Sequence, residues 1–144
     1  MRIIIDADAC PNINEIIALG QKYHKETIIY ADDSHIINQI NATVIIVSAG
    51  SQNVDIKLLN DVIVNDVVIT QDYGVAVIAL GKKCHVINQN GIIYTNQNID
   101  LMMEIRHLNQ KSRKQNKHVK GPKKRTNEIK QQFLKNLEKI LDSN

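Results

Sequence analysis

Two aspartates, one residue apart, follow an apolar run near the start of the chain. Residues 3–5 are all isoleucine, and Asp6 and Asp8 come next in the sequence IIIDADACPN. A short apolar run without alternation predicts a fully buried strand, so both carboxylates would lie at its carboxyl end. Carboxylate oxygens are the ligands that Mg²⁺ and Mn²⁺ prefer, and these metals serve phosphoryl chemistry.

Two further aspartates are predicted to reach the same place. Asp55 lies at the start of the helix after the third predicted strand, and Asp72 directly follows the fourth strand. The carboxyl ends of parallel strands meet at one edge of a sheet, where ligands bind. Crowded like charges persist when a cation neutralises them or when one holds a proton. The sequence therefore predicts a catalytic and metal-binding site for Mg²⁺ or Mn²⁺, made of Asp6, Asp8, Asp55 and Asp72.

Each of these aspartates also has a structural interpretation. Asp8 could cap a helix that starts near Pro11, and Asp72 could begin a turn with Gly74. Asp55 in a first helical turn would favour the macrodipole by about 0.3–1 kcal/mol. Taken singly, these interpretations are the more common ones. The joint arrangement at one sheet edge favours a site instead.

Other residues near the predicted crevice leave more than one interpretation open. Cys10 at a helix start could be a nucleophile, but no histidine partner is apparent, which favours a packed residue. Tyr73 could line the crevice or cover the core. Asp32 and Asp33 follow a strand and could join the rim of the crevice. Ser48 and the two residues after it could contact phosphate, although a strand-to-helix turn is the simpler interpretation.

The elements that must position these residues alternate between strand and helix. Strands are predicted over residues 2–5, 27–30, 43–47, 67–70 and 85–87, and a hairpin strand over 92–94 follows the tight turn Asn90-Gly91. Helices are predicted to start at Pro11 and run to residue 23, then over 36–40, 54–64, from 71 to about 80, and 99–115, with a last helix capped by Thr126. Gly81 is the predicted stop of the fourth helix. The apolar first four strands predict an α/β three-layer sandwich with a mainly parallel sheet of order 3-2-1-4-5.

The chain divides into an acidic body and a basic end. Residues 1–105 hold six Lys and Arg against twelve Asp and Glu, whereas residues 106–144 hold twelve against three, so the net charges are −6 and +9. The 144 residues predict one domain, with 1–98 as its core and 99–144 as a basic helical extension. The apolar stripe of the last helix must dock somewhere, on this chain or on a second copy.

The basic end predicts an anionic partner, and nucleic acid is the usual one. The contacts would come from Lys111, Arg113, Lys114, Lys123, Lys124 and Arg125. No aromatic residue stands among them before Phe133, so binding would depend on the phosphate backbone and on salt. The other interpretation is a solvated basic helix that packs on the acidic body.

Composition narrows the class of protein. No apolar run approaches the roughly 20 residues that span a bilayer, and the first residues lack the pattern of a signal peptide. Two cysteines are too few for a disulfide framework. We therefore expect a cytoplasmic protein with no membrane partner.

Several segments together resemble the YaiI/YqxD family of bacterial proteins. They are DADACPN, SQNVDIKLLN, VVITQDYGVA, NQNGIIYTNQNID and the stretch from Arg106 through KGP to Phe133. The resemblance implies a PIN-like domain, which is a compact α/β nuclease with acidic residues around Mg²⁺ or Mn²⁺, usually acting on RNA. By that similarity Asp6, Asp8, Asp55 and Asp72 would be its acidic site.

Three functions remain open at this point. The leading one is a metal-dependent hydrolase that cleaves phosphodiesters, of RNA rather than DNA. A second is a nucleic-acid-binding module without catalysis, in which the basic end does the binding. A third is a haloacid dehalogenase-like phosphatase, whose DxD motif would supply Asp6 as nucleophile and Asp8 as general acid/base.

Overall fold

A six-stranded sheet forms the centre of the molecule. The computed structural model describes residues 1–34, 39–50, 52–114 and 126–143. The strands are β1 (Ile3–Asp6), β2 (Thr27–Asp32), β3 (Thr43–Val47), β4 (Val67–Ile69), β5 (His85–Ile87) and β6 (Ile93–Tyr94). Their order is β3-β2-β1-β4-β5-β6, and only β6 runs antiparallel to its neighbour. The predicted parallel sheet, its order and its hairpin strand are confirmed.

Five α-helices lie in the described part of the chain. They are α1 (Ile13–Lys22), α2 (Asn53–Asp61), α3 (Tyr73–Gly81), α4 (Ile99–Lys114) and α5 (Asn127–Asp142). The Thr126 hydroxyl accepts a hydrogen bond from the Ile129 amide at 3.2 Å, so the predicted cap of the last helix is confirmed. The predicted short helix over 36–40 falls mostly on residues 35–38, which lie outside the described residues.

The helices cover both faces of the sheet, because successive strand residues point to opposite sides. On β1, Ile4 faces a core built with α2 and α3, whereas Ile3 and Ile5 face one built with α1 and α5. The apolar stripe of α5 is fully used there, since Phe133 and Leu137 are completely buried. The result is the predicted three-layer α/β arrangement, with the last helix contributing to the core of its own chain.

The segment between β1 and α1 differs from the prediction. A single 3₁₀ turn, Ala7–Ala9, follows β1 directly, and Pro11 lies in a turn before α1 begins at Ile13. Asp8 is therefore part of the 3₁₀ turn, and Asn12 occupies the N-cap position of α1. The expectation that Pro11 starts the helix is wrong, because the chain uses three residues to turn away from the sheet edge first.

Helix α3 ends at Gly81, so its predicted stop is confirmed. One other local expectation needs correction. The strand β3 is at the edge of the sheet and is half-exposed, whereas an apolar run predicted burial on both sides. An edge strand has a neighbour on one side only, and that position is set by topology rather than by its own residues.

An ion pair fixes the amino ends of the two central strands. The Asp66 carboxylate is fully buried before β4 and accepts hydrogen bonds from the Arg2 guanidinium at 2.6 Å and from the Arg2 amide at 3.2 Å. It also accepts one from the Ile63 amide at 2.9 Å. This carboxylate holds β1 and β4 side by side at the edge opposite to Asp6.

In the part of the chain that the structure describes, no helix is long and apolar enough to cross a membrane.

We expect Gly91→Ala to lower the free energy of unfolding by about 1–2 kcal/mol or more. Gly91 has φ 88°, and an added Cβ would lie 2.9 Å from the Phe133 Cα on α5. Urea denaturation measures the change. Gly81→Ala is the matched control, because nothing lies within 4 Å of its added Cβ, and it should be neutral or slightly stabilising. Equal stabilities of the two variants would contradict this account of the hairpin.

Candidate functional site

The four predicted aspartates meet in one cavity at the carboxyl edge of the sheet. They are brought together because β1 lies between β2 and β4, so the ends of β1 and β4 are neighbours. The cavity has a volume of about 520 Å³, within the range of small-molecule sites. Its lining consists of Asp6, Asp8, Asp55, Gln71, Asp72, Tyr73, Gly74 and Arg106.

Asp6 is the buried member of the cluster. It is the last residue of β1 and only 6% exposed, and its Oδ2 accepts a hydrogen bond from the Thr70 hydroxyl at 3.1 Å. Burial away from water raises the pKa of Asp6 to about 6, and the charges of Asp55, Asp8 and Asp72 add to the rise. The hydrogen bond from Thr70 opposes it. A buried carboxylate that has no cation beside it is costly to ionise.

Asp72 has a structural role as well as a place in the cavity. It is the N-cap of α3, where its Oδ1 accepts a hydrogen bond from the Val75 amide at 3.1 Å. Its own amide donates to the Thr70 hydroxyl oxygen at 3.0 Å. Thr70 thus links Asp6 and Asp72 through one hydroxyl. The capping and site interpretations of Asp72 are both compatible with this geometry, because the second carboxylate oxygen is not needed for the cap.

Asp55 faces Asp72 from the first turn of α2. The pKa of Asp55 is raised to about 6, mainly by burial, and also by the charge of Asp72, by a hydrogen bond between the two carboxyls and by the charge of Asp8. A hydrogen bond between two carboxyls requires a proton on one of them. Asp8 lies in the 3₁₀ turn and is exposed to solvent. The cluster therefore grades from the buried Asp6 to the exposed Asp8.

The donor chemistry of this cavity fits a hard divalent cation. All four acidic groups are carboxylates. The pKa values of Asp6 and Asp55 are raised first by burial and then by neighbouring carboxylates, so a nearby cation would favour their charged forms. Among the described residues, no three acidic, histidine or cysteine side chains are arranged to hold a metal ion by themselves. Mg²⁺ commonly keeps several waters and takes only one or two protein carboxylates together with substrate phosphates.

Aromatic and basic side chains form the other side of the cavity. Tyr73 lines the cavity and also packs against the core, so both interpretations of this residue are correct. Its ring centre lies 5.6 Å from that of Tyr94, and the Arg106 Cζ lies 5.1 Å from the Tyr73 ring centre. Sequence reasoning missed Arg106 and Gln71 as cavity residues. For Arg106 no local signal exists, since its position depends on how α4 docks against α3.

The remaining predicted residues do not line this cavity. The Asp33 carboxylate accepts a hydrogen bond from the Ala49 amide at 2.9 Å, and Asp32 accepts one from the Ser34 amide at 3.0 Å, so both support loops. Cys10 is buried, as expected of a packed residue. Ser48 lies beyond the half-exposed end of β3, two strands away from β1.

Of the six predicted nucleic-acid contacts, the structure places three on α4. Lys111 is exposed there, and Arg113 and Lys114 belong to the last turn of that helix, where only the backbone is described. Lys123, Lys124 and Arg125 lie outside the described residues. Of these, Lys111 does not belong to the lining of the acidic cavity. Contacts to nucleic acid from this segment stay a prediction.

Comparison with known families gives a clear relationship. The family described as "Uncharacterized BCR, YaiI/YqxD family" matches residues 4–143, almost the whole chain. The chain belongs to the YaiI/YqxD family. The resemblance that the sequence motifs indicated is therefore confirmed at the level of the family.

The sequence matches to individual relatives cover nearly the full length of both proteins. A UPF0178 protein of Clostridium novyi is 41% identical over 142 residues, covering 99% of this chain and 95% of the relative. One from Ruminiclostridium cellulolyticum is 44% identical, covering 95% and 90%. One from Exiguobacterium sibiricum is 39% identical, covering 98% and 96%. No solved structure matches the chain significantly.

Without divalent cations, we expect Asp6→Asn to stabilise the protein by roughly 1–3 kcal/mol at pH 7.5, because one unit of pKa shift is worth 1.36 kcal/mol. A carboxyl whose pKa is raised on folding destabilises the fold once it is ionised. The gain should be absent below about pH 4 and should grow between the ordinary pKa of 3.8 and the raised value of about 6. Urea denaturation at several pH values measures it.

Glu104→Gln provides the control for that series, because Glu104 is an exposed carboxylate on α4 outside the cavity. It should change stability little, at any pH. An Asp6→Asn variant that is no more stable at pH 7.5 than at pH 4, relative to the unmodified protein, would show that Asp6 is not electrostatically strained.

Proposed function

We propose that this YaiI/YqxD protein is a hydrolase that cleaves phosphodiester bonds of RNA with the help of Mg²⁺ or Mn²⁺. The observation that carries the proposal is the convergence of Asp6, Asp8, Asp55 and Asp72 on one cavity at the carboxyl edge of a parallel sheet. The pKa values of two of these carboxyls, Asp6 and Asp55, are raised, and a bound cation would stabilise their charged forms. A PIN-like domain, which the family resemblance implies, has this kind of acidic site.

The proposed roles follow from where each carboxylate lies. Asp6, Asp8, Asp55 and Asp72 would hold the cation, which supplies positive charge against the scissile phosphate and its attacking water. Asp6 is fixed at the end of β1 by the Thr70 hydroxyl, so its position does not depend on ligand. Asp72 is fixed by its capping bond on α3. Asp6 and Asp72 would thus supply fixed ligands, and Asp8 and Asp55 would complete the site.

The geometry around the cavity is compatible with a polymeric substrate. Asp8, Gln71, Asp72 and Gly74 are exposed, so a strand could approach across the rim. The surplus of positive charge in residues 106–144 would attract a polyanion to this acidic body and oppose its repulsion. We propose RNA, in the cytoplasm, as the physiological setting, which agrees with the similarity to PIN domains.

The phosphatase alternative receives less support from the geometry. Its phosphate-binding serine would be Ser48, which follows β3 at the sheet edge, with β2 between that strand and β1. Of the described residues that line the acidic cavity, none is a serine or threonine. Trapping of beryllofluoride on Asp6 would nevertheless favour that enzyme class, since it marks an aspartyl-phosphate nucleophile.

The direct test is cleavage of labelled single-stranded RNA by the purified protein, with Mn²⁺ and with a chelator. We expect Mn²⁺-dependent cleavage, with a fall of about 10²–10³-fold or more in Asp6→Asn, which is typical of losing one preorganised electrostatic contact to the transition state.

Asp33→Asn is the matched control, because Asp33 also follows a strand at the same edge but supports a loop outside the cavity. It should cleave at the rate of the unmodified protein. Equal cleavage by Asp6→Asn would point to a contaminating nuclease and contradict the proposal. RNA binding without any cleavage would favour the binding module.

A further inference from the structure

Arg106 brings a positive charge to the acidic cavity. Of the eight described residues that line the acidic cavity, four are aspartates and Arg106 is the one cation. It comes from the second turn of α4, a helix that sequence motifs do not connect with the site. A cation at this point faces a cluster that would otherwise repel a polyanion.

The position of Arg106 is set by a stack of rings. Its Cζ lies 5.1 Å from the centre of the Tyr73 ring, which fits a cation–π contact. Tyr73 packs in turn on Tyr94 at 5.6 Å between centres, with the rings tilted by 53°. Tyr94 is 3% exposed, and its hydroxyl oxygen accepts a hydrogen bond from the Asn88 side chain at 3.3 Å. The position of the guanidinium is therefore fixed, through the two tyrosine rings, by the buried core.

The guanidinium of Arg106 keeps its hydrogen-bond donors available. Among the described residues it makes no hydrogen bond and no ion pair within 4.0 Å, although four aspartates line the same cavity. A guanidinium carries five N–H donors in a planar fork that matches a phosphate group. This side chain and the four carboxylates line the same cavity of about 520 Å³.

We propose that Arg106 binds a backbone phosphate of single-stranded RNA in the cavity that the aspartate cluster lines, and that Tyr73 is the positioning residue for it. The proposal rests on the proposed function for its substrate class. The Arg106 guanidinium would bind the anionic oxygens of the phosphate, while the carboxylates would hold the proposed metal ion. Bidentate Arg–phosphate contacts combine charge with geometric specificity, so this residue would set the register of the strand.

The competing account gives Arg106 a structural role only. An exposed cation–π contact contributes about 0.5–1 kcal/mol, which would help to fasten α4 to α3. Removing Arg106 would then lower thermal stability and leave RNA binding as it was. The two accounts differ in the salt dependence of binding, because only a phosphate contact releases counterions.

The test measures binding of a fluorescein-labelled short oligouridylate by anisotropy, in Ca²⁺ and over a series of salt concentrations, with the RNA checked for integrity afterwards. We expect Arg106→Gln to weaken binding about tenfold, as for loss of one charged hydrogen-bonding group. The slope of log K against log salt should become shallower by about 0.7, the value for one phosphate contact on a single strand. Arg106→Lys should keep the slope and lose affinity, since it retains the charge without the fork.

Lys135→Gln is the charge-matched control, because Lys135 is exposed on α5, which covers the other face of the sheet. It should bind within about twofold of the unmodified protein. Melting temperatures of all variants show whether they are folded. If Arg106→Gln does not fold, Arg106→Lys decides, and unaltered affinity in that variant would overturn the proposal.

The outcomes separate this proposal from the proposed function. RNA binding that depends on Arg106, in a protein that never cleaves, would support the phosphate contact and contradict the hydrolase. Cleavage with the same kcat and KM in Arg106→Gln would support the hydrolase and contradict the phosphate contact. Unchanged affinity and salt slope in Arg106→Gln, or no binding of RNA by the unmodified protein, would overturn the phosphate contact.

Discussion

The repulsion among four carboxylates at one sheet edge is the constraint on which the rest of the structure depends. Parallel pairing of β1 with β4 brings the ends of both strands, and with them Asp6 and Asp72, to one cavity, and α2 adds Asp55. Such crowding opposes folding unless something offsets it. The fold offsets it in part with the Thr70 hydroxyl, which donates to Asp6 and accepts from the amide of Asp72. The remaining charge is what the proposed cation would offset.

The opposite edge of the same two strands shows how a buried carboxylate is stabilised when it is purely structural. Asp66 is fully buried, and Arg2 and two amides satisfy it. Asp6 is almost as buried, at 6% exposed, but its described partner is a neutral hydroxyl. An ionised buried carboxylate with no cation beside it is strongly destabilising. Titratable groups in such strained environments are concentrated at functional sites. The contrast between Asp66 and Asp6 supports function at the second site.

The sequence was most informative where burial and periodicity act locally. The apolar runs located β1 to β5, and their alternation with helices predicted the order of the sheet, so Asp6 and Asp72 were correctly expected at one edge. What it lacked were properties that arise from tertiary docking. Arg106 reaches the cavity because α4 packs by Ile99 and Met102, while the apolar residues Leu101, Ile105 and Leu108 of the same helix are exposed. The ion pair of Arg2 with Asp66 joins residues 64 positions apart, and no local pattern encodes it.

The central claim is that the aspartate cluster of this YaiI/YqxD protein binds a divalent cation. Anomalous diffraction from crystals grown with Mn²⁺ tests it most directly, because the anomalous signal locates the metal without assumptions about activity. The account predicts a Mn²⁺ peak in the cavity between Asp6, Asp8, Asp55 and Asp72. A cavity without such a peak at saturating Mn²⁺, in crystals where these side chains are ordered and deprotonated, would contradict it.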